Sequence, residues 1–312
     1  MKVLVVDTVH PVLIEGIKGL QYEIVEDYSS SKKELISKMG EYLGLVVRSR
    51  FPIDQQFLKS CSKLKFIARV GAGMENIDIP CAKEMGIHLI SAPEGNRDAV
   101  GEHALGMLLM LFNNLKRSDA EVRQGIWKRE ENRGFELNGK TIGIIGYGNM
   151  GSAFAEKLNG FGVEVIAYDK YKSGFGNENV KEVSLEELQQ KTDVLSLHIP
   201  QAADTLGMVN ENFINAFAKN FYLINTARGK SVNTTSLVKA LENGKIKGAC
   251  LDVLEFEKAS FENMFDSDIP KEFQYLLESD KVILSPHIAG WTVESNQKMA
   301  ETIVSKLKAI QF

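Results

Sequence analysis

The sequence predicts an α/β protein of two Rossmann-like domains, each a doubly wound parallel sheet, and three observations predict it. Apolar runs of strand length alternate with helical patterns almost throughout, as strand–helix–strand units require. One such junction carries Gly146-Tyr147-Gly148-Asn149-Met150-Gly151. The chain has 312 residues, enough for about two domains of roughly 150 residues.

In chain order, the first strands are expected at Val3–Val6, Tyr22–Glu26, Leu45–Arg48, Phe66–Val70 and His88–Ile90. The turn-rich stretch Ser91–Asn96 is the expected divider, and a long helix should run from about Asp98 to Leu115. Its apolar run, Ala104 to Phe112, falls far short of the ~20 residues of a membrane span and reads as a buried helix. A second strand series follows at Thr141–Ile145, Val163–Tyr168, Val194–His198, Phe221–Ile224, Gly248–Asp252 and Val282–Leu284. Ser184-Leu185-Glu186-Glu187 has capping-box spacing and should open a helix. The last helix, about Thr292 to Ile310, follows a completed sheet and is expected to return to the first domain. That divides the chain into residues 1–96 plus 288–312, flavodoxin-like and substrate-binding, and residues 97–287, cofactor-binding, with a cleft between them.

The glycine segment has the context of a dinucleotide fingerprint. A buried strand precedes it, a helical pattern follows, and a second strand ends at Asp169, eighteen positions beyond Gly151. Gly146 permits the tight turn, Gly148 lets the backbone approach a pyrophosphate, and Gly151 lets helix and strand pack closely. The helix N-terminus offers N–H groups and a favourable dipole to the phosphates. A carboxylate at Asp169 would bond ribose hydroxyls and repel a 2′-phosphate, so NAD is expected over NADP, although Lys170 and Lys172 pull the other way.

Bulk properties exclude other classes. Lys plus Arg number 37 and Asp plus Glu 41, a net charge of −4, with no long run of like charge to suit nucleic acid. Cys61, Cys81 and Cys250 are scattered, an odd count without metal-ligand spacing, so neither a secreted disulfide framework nor a metal is expected. The N-terminus reads as a strand rather than a signal peptide, and the expected compartment is the cytoplasm.

An enzyme using a nicotinamide needs a proton carrier, a group to tune it and a cation to hold and polarise the substrate. Candidates follow strands of the second series: Arg228 in Asn225-Thr226-Ala227-Arg228-Gly229, Glu257 beyond Asp252-Val253, and His287 in Ser285-Pro286-His287-Ile288-Ala289-Gly290. Taken together, these stretches resemble the signatures of the D-isomer-specific 2-hydroxyacid dehydrogenases. The similarity covers nearly the whole chain, from Val46-Val47-Arg48-Ser49-Arg50 to the last helix.

The resemblance implies two Rossmann-like domains, a dimer, and hydride transfer between NAD and a D-2-hydroxy acid. It makes His287 the general acid/base, Glu257 its carboxylate partner, and Arg228 the group that binds and polarises the 2-oxo acid. The family usually has proline after this glutamate, whereas Lys258 follows here, and Glu255 is a nearby competitor. The resemblance also implies that Asp252 holds the nicotinamide carboxamide and that Ala227 and Gly290 lie against that ring. Tyr147, Asn149 and Met150 would present amides to the pyrophosphate. His198 resembles a position lining the cofactor cleft, with a structural role as its other reading; His10, His88 and His103 are expected to have no chemical role.

On the substrate side, Val70-Gly71-Ala72-Gly73 resembles the loop whose amides, at Ala72 and Gly73, meet a carboxylate. Arg48 and Arg50 lie two apart at a predicted strand end, so both should emerge on one face and suit a second anionic group. Lys128 and Arg129 lie in a segment that in this family reaches across the dimer. D-3-phosphoglycerate is therefore the leading substrate, and glyoxylate or hydroxypyruvate the alternative. Because the chain closes at Phe312, activity insensitive to serine is expected. A reading of another class is an NAD-sensing corepressor, which needs the cofactor site but no turnover.

Overall fold

The structure, a computed structural model, describes residues 1–257 and 269–310. It divides into two units, one of Met1–Arg97 with the C-terminal segment from Trp291, the other from Asp98 to Glu257 and on to Gly290.

The first unit alternates β1 (Lys2–Val5), α1 (Pro11–Gly19), β2 (Glu23–Glu26), α2 (Lys32–Lys38), β3 (Tyr42–Val47), α3 (Gln55–Lys59), β4 (Phe66–Arg69), α4 (Ile79–Glu84) and β5 (His88–Ser91). All pairings are parallel, in the order β2-β1-β3-β4-β5. Both faces are covered, and the period-2 alternation of side chains sorts them. Leu4 and Val6 join the core of Leu35, Phe57 and Ala82. Val3 and Val5 point the other way, into Leu13, Ile17, Met299 and Ile303.

The second unit contains α5 (Pro93–Phe112, its first turn in the other unit), α6 (Leu115–Arg123), β6 (Thr141–Ile145), α7 (Asn149–Lys157), β7 (Glu164–Tyr168), β8 (Lys181–Glu182), α8 (Leu185–Lys191), β9 (Val194–Leu197), α9 (Glu211–Asn215), β10 (Phe221–Asn225), α10 (Thr234–Glu242), β11 (Ile246–Leu251), α11 (Lys271–Glu278) and β12 (Val282–Leu284). Its parallel sheet runs β12-β11-β10-β9-β6-β7-β8. The order reverses at β6, and ligands of such sheets bind beyond strand C-termini at that switch point. Ser184 caps α8 through the Glu187 N–H. Among the described residues, no helix is long and apolar enough to cross a membrane.

Three details differ from expectation. The units part after Arg97, one residue beyond Ser91–Asn96, but that stretch is not a turn-rich linker: α5 starts at Pro93, not Asp98, and runs through Arg97 without a break. Proline suits a first helical turn, where its missing N–H has no partner to lose. The helix ends at Phe112 rather than Leu115, because Asn114 adopts a left-handed φ of 51° before α6 begins. The two-residue β8 was not expected, since Lys181–Glu182 carries no apolar pattern.

The last helix, α12 (Val293–Ala309), opens on a Thr292–Ser295 capping box and packs against α1 in the first unit. It also crosses the start of α5: a Cβ on Gly95 would lie 2.4 Å from the Met299 backbone nitrogen. Lys306 adds an ion pair of 2.8 Å to Glu94 and a bond to the Ser91 carbonyl. Gly95→Ala should therefore cost about 1–3 kcal/mol through overpacking and lower the urea midpoint. Gly19→Ala, with nothing within 4 Å of the new methyl, should leave the midpoint unchanged or slightly raised. Equal midpoints for the two variants would refute the packing argument.

Candidate active site

The glycine turn follows β6 at the switch point. Gly146 has φ of +91°, and a Cβ there would meet the His198 carbonyl at 2.4 Å; one on Gly151 would meet the Gly146 carbonyl at 2.0 Å. Both positions thus exclude side chains by contact with backbone. Gly148 differs, because nothing lies within 4 Å of its missing Cβ, and it opens α7 without a side-chain cap. Asn149 and Met150 form the first turn of that helix. An open cradle at an uncapped helix N-terminus fits the pyrophosphate of a dinucleotide.

Two of the expected cofactor residues bond to one another. The Tyr147 amide is already donated to Asp169 Oδ2, at 2.7 Å, so it is not offered to a phosphate. Asp169 Oδ1 accepts the amides of Tyr171 and Lys172 at 2.9 and 3.0 Å. The carboxylate thus organises the turn after β7. Lys170 is paired with Asp204, which also accepts the Tyr171 hydroxyl, and the Lys172 ammonium donates to the Tyr147 carbonyl.

His198 follows β9 with Nε2 2.8 Å from the Ser196 hydroxyl and Nδ1 shut away from solvent. Its ring lies against Phe154, and burial pushes its pKa down to about 3. These contacts belong to a neutral imidazole supporting the glycine turn through its backbone carbonyl.

The densest polar constellation surrounds β11 and β12. His287 Nδ1 lies 2.7 Å from Glu257 Oε2, both side chains being largely but not fully buried. Glu257 Oε1 accepts the Leu254 amide, which aims the carboxylate. Glu255, the competitor, is spent on the Thr234 amide at the start of α10; Lys258 lies outside the described residues. His287 adopts a left-handed φ of 57°, a backbone state that costs a non-glycine residue about 1–3 kcal/mol.

Asp252 holds that turn. Its side chain is 1% exposed. Oδ1 accepts the Ser285 hydroxyl at 2.6 Å and the Ile288 amide at 2.9 Å, and Oδ2 accepts the Ala289 amide at 2.8 Å. The carboxylate thus faces inward and binds the loop of His287. Gly290 ends that loop, half-buried. His103 was given no role from sequence, yet its Nε2 lies 2.9 Å from the Ser285 hydroxyl and 3.5 Å from Asp252. A histidine on an apolar helix gives no sign of its distant partner.

Arg228 sits on the loop after β10. Asn225 braces that loop, accepting the Ala227 amide and donating to the Arg228 carbonyl. Arg228 Nη1 donates to the Ala227 carbonyl at 2.7 Å. A Cβ on Gly229 would lie 1.9 Å from the Leu254 carbonyl, so this loop is pressed onto the one carrying Glu257.

The arginines of the first unit do not share a face. β3 ends at Val47, and strand alternation stops before either residue. Arg50, expected to bind substrate, instead clamps the carbonyls of Val6, Asp27 and Ser30 at 2.5–2.9 Å. Arg48 donates to the Thr8 carbonyl and stacks 4.1 Å from the Trp291 ring centroid. Its carbonyl accepts from Asn76, which ties it to the segment after Ala72 and Gly73, both half-buried.

A neutral His198 has a stability consequence. Below pH ~6.5 the unfolded chain takes up a proton that the folded imidazole refuses, so stability falls as pH drops from about 6.5 towards 3. The loss approaches about 1.4 kcal/mol per pH unit. Comparing urea unfolding at pH 7.5 and 5.5, His198→Asn should show a smaller difference than wild type; the same difference in both would rule this out.

Comparison with known proteins places the chain. The family model for the D-isomer specific 2-hydroxyacid dehydrogenase NAD binding domain matches residues 105–289. A D-3-phosphoglycerate dehydrogenase of Archaeoglobus fulgidus is 33% identical over 99% of the chain, which spans 58% of that protein. The chain thus spans a little over half the length of the D-3-phosphoglycerate dehydrogenases it matches. A glyoxylate reductase of Thermofilum pendens is 35% identical over 91% of the chain and 83% of its own length. The solved D-lactate dehydrogenase of Aquifex aeolicus, complexed with NAD and lactic acid, superposes with a TM-score of 0.82 at 31% identity, covering 99% of this chain and 95% of that one. With its glycine cradle, its paired histidine and glutamate, and a family model matching more than half its length, the chain belongs to the D-isomer specific 2-hydroxyacid dehydrogenases and carries their NAD-binding domain.

Proposed function

We propose that the chain is an NAD-dependent oxidoreductase acting on a D-2-hydroxy acid and its 2-oxo partner, with D-3-phosphoglycerate as the leading substrate. The observation that carries the reading is the 2.7 Å contact between His287 Nδ1 and Glu257. Bound nicotinamide supplies or accepts the hydride, and the protein must handle the proton. With Nδ1 held by the carboxylate, Nε2 is the atom that exchanges a proton with the substrate oxygen. Glu257 fixes the tautomer and ring orientation and offsets the charge when the ring is protonated. Arg228 is assigned the substrate carboxylate and carbonyl, which a planar guanidinium fork suits. Ala72 and Gly73 are assigned amide contacts to that carboxylate.

The phosphorylated substrate is supported by the names of several relatives and by Arg48, a basic group whose backbone carbonyl is tied through Asn76 to the segment after that loop. A second reading, a glyoxylate or hydroxypyruvate reductase, is favoured by the loss of Arg50 to three backbone carbonyls and by the similarity to a glyoxylate reductase. The three cysteines are free and buried, which agrees with a cytoplasmic, reducing setting.

The substrate panel decides. Oxidation of D-3-phosphoglycerate with NAD should exceed, in kcat/KM, the reduction of glyoxylate and hydroxypyruvate with NADH by at least tenfold; indifference to the phosphate transfers the assignment to the second reading. His287→Ala should lower kcat by ~10²–10⁴-fold, the usual worth of general acid/base help, with NADH affinity retained. An unimpaired variant means that the proton carrier lies elsewhere.

A homodimer is also proposed. α6 buries none of its residues, and Leu115, Val122, Trp127 and Phe135 are each more than half exposed. Lys128 and Arg129 flank them in an exposed stretch. Exposed apolar side chains of this kind suit burial against a second copy. Light scattering should give twice the chain mass, and Val122→Glu combined with Trp127→Glu should halve it; a monomeric wild type would exclude this assembly.

A further inference from the structure

We propose that His103 is a positioning residue for His287, acting through a relay of hydrogen bonds to the Ser285 hydroxyl and the Asp252 carboxylate. The inference rests on the reading of His287 as proton carrier and assigns a function to a histidine on a different element. His103 Nε2 lies 2.9 Å from Ser285 Oγ, and that hydroxyl donates to Asp252 Oδ1 at 2.6 Å. A serine has one hydroxyl proton. Since Asp252 takes it, the oxygen must accept from His103, which fixes His103 as the Nε2–H tautomer. The donors then run in one direction, from His103 through Ser285 to the buried carboxylate.

The relay has a mechanical effect. Asp252 meets the amides of Ile288 and Ala289 and, through its own carbonyl, the amide of His287 at 2.8 Å. Each of these bonds holds residues 285–289 in the turn that keeps His287 at its left-handed φ. Ser285 is the side-chain anchor of that turn, held from α5 by His103, with Met107 Sδ one helical turn on lying 3.7 Å from its hydroxyl oxygen. Without His103 the hydroxyl is held by Asp252 alone, and the strained backbone at His287 loses one of its restraints. The imidazole then spends less time aligned with Glu257 and the substrate oxygen. A misplacement of this kind lowers the rate of the chemical step more than it weakens ligand binding.

The test uses the whole 312-residue chain with the acid that the substrate panel ranks first. His103→Leu should lower kcat about tenfold or more, with NADH affinity by fluorescence titration changed less than about twofold. His103→Gln, whose amide can donate to Ser285 from the same reach, should recover most of that loss. The solvent deuterium isotope effect on kcat should rise in His103→Leu, because proton transfer becomes limiting; a merely structural lesion reduces the active fraction and leaves it unchanged. Ser285→Ala interrupts the same relay, so the double variant H103L/S285A should be no slower than S285A alone.

A His103→Leu enzyme within twofold of wild type overturns the proposal, as does a His103→Gln enzyme equally impaired, or losses that multiply in the double variant. If His103→Leu does not fold, S285A and H103Q carry the test: S285A must be slow and H103Q fast, and any other pattern overturns it. An active His287→Ala enzyme refutes the function proposed above, whereas an inactive His287→Ala with an unimpaired His103→Leu refutes the relay alone.

Discussion

A carboxylate withdrawn from water must be met by hydrogen-bond donors or lose its charge, and Asp252 is met on both oxygens by the segment that follows β12. This internal anion is the point on which the surrounding loops depend. It sits just past β11, so its position is fixed by a strand paired on both sides rather than by the loops it organises. In return it holds a proline-preceded histidine in a backbone state that would otherwise be expelled. Ordering comes from the sheet, passes through the buried charge and ends at the imidazole facing Glu257.

The loops around it are kept close by the absence of side chains. Gly229 brings the Arg228 loop onto the Leu254 carbonyl, and Leu254 in turn donates to Glu257. Gly146 and Gly151 fold the cofactor turn onto itself, whereas Gly148 leaves space outward. The same residue type thus serves two ends: contact with protein at three positions and room for a ligand at the fourth.

Much of this was legible in the sequence. The Thr141–Ile145 and Val282–Leu284 strands are where their apolar runs place them, because a strand buried on both faces has a plain signature. The pairing of Glu257 with His287 followed from motif resemblance, and the coordinates add that Glu255 is occupied elsewhere. What was not legible concerns long or buried polar side chains. Spacing told that Arg50 lies near a strand end, but three backbone carbonyls compete for its guanidinium, and carbonyl direction is a property of the folded chain. The inward turn of Asp252 and the reach of His103 to Ser285 join residues 33 and 182 positions apart, beyond any local pattern. The start of α5 inside Ser91–Asn96 was missed because proline and glycine mark turns and helix starts alike.

The continuity of α5 bears on how this molecule can be dissected. The boundary between the units falls after Arg97, inside a helix that runs unbroken from Pro93 to Phe112. Severing the chain there would strand carbonyls and amides on both fragments that now satisfy one another along the helix axis. It would also part Gly95, lodged against the backbone at Met299, from the rest of its own rod. A fragment meant to isolate either unit must carry the whole rod with it.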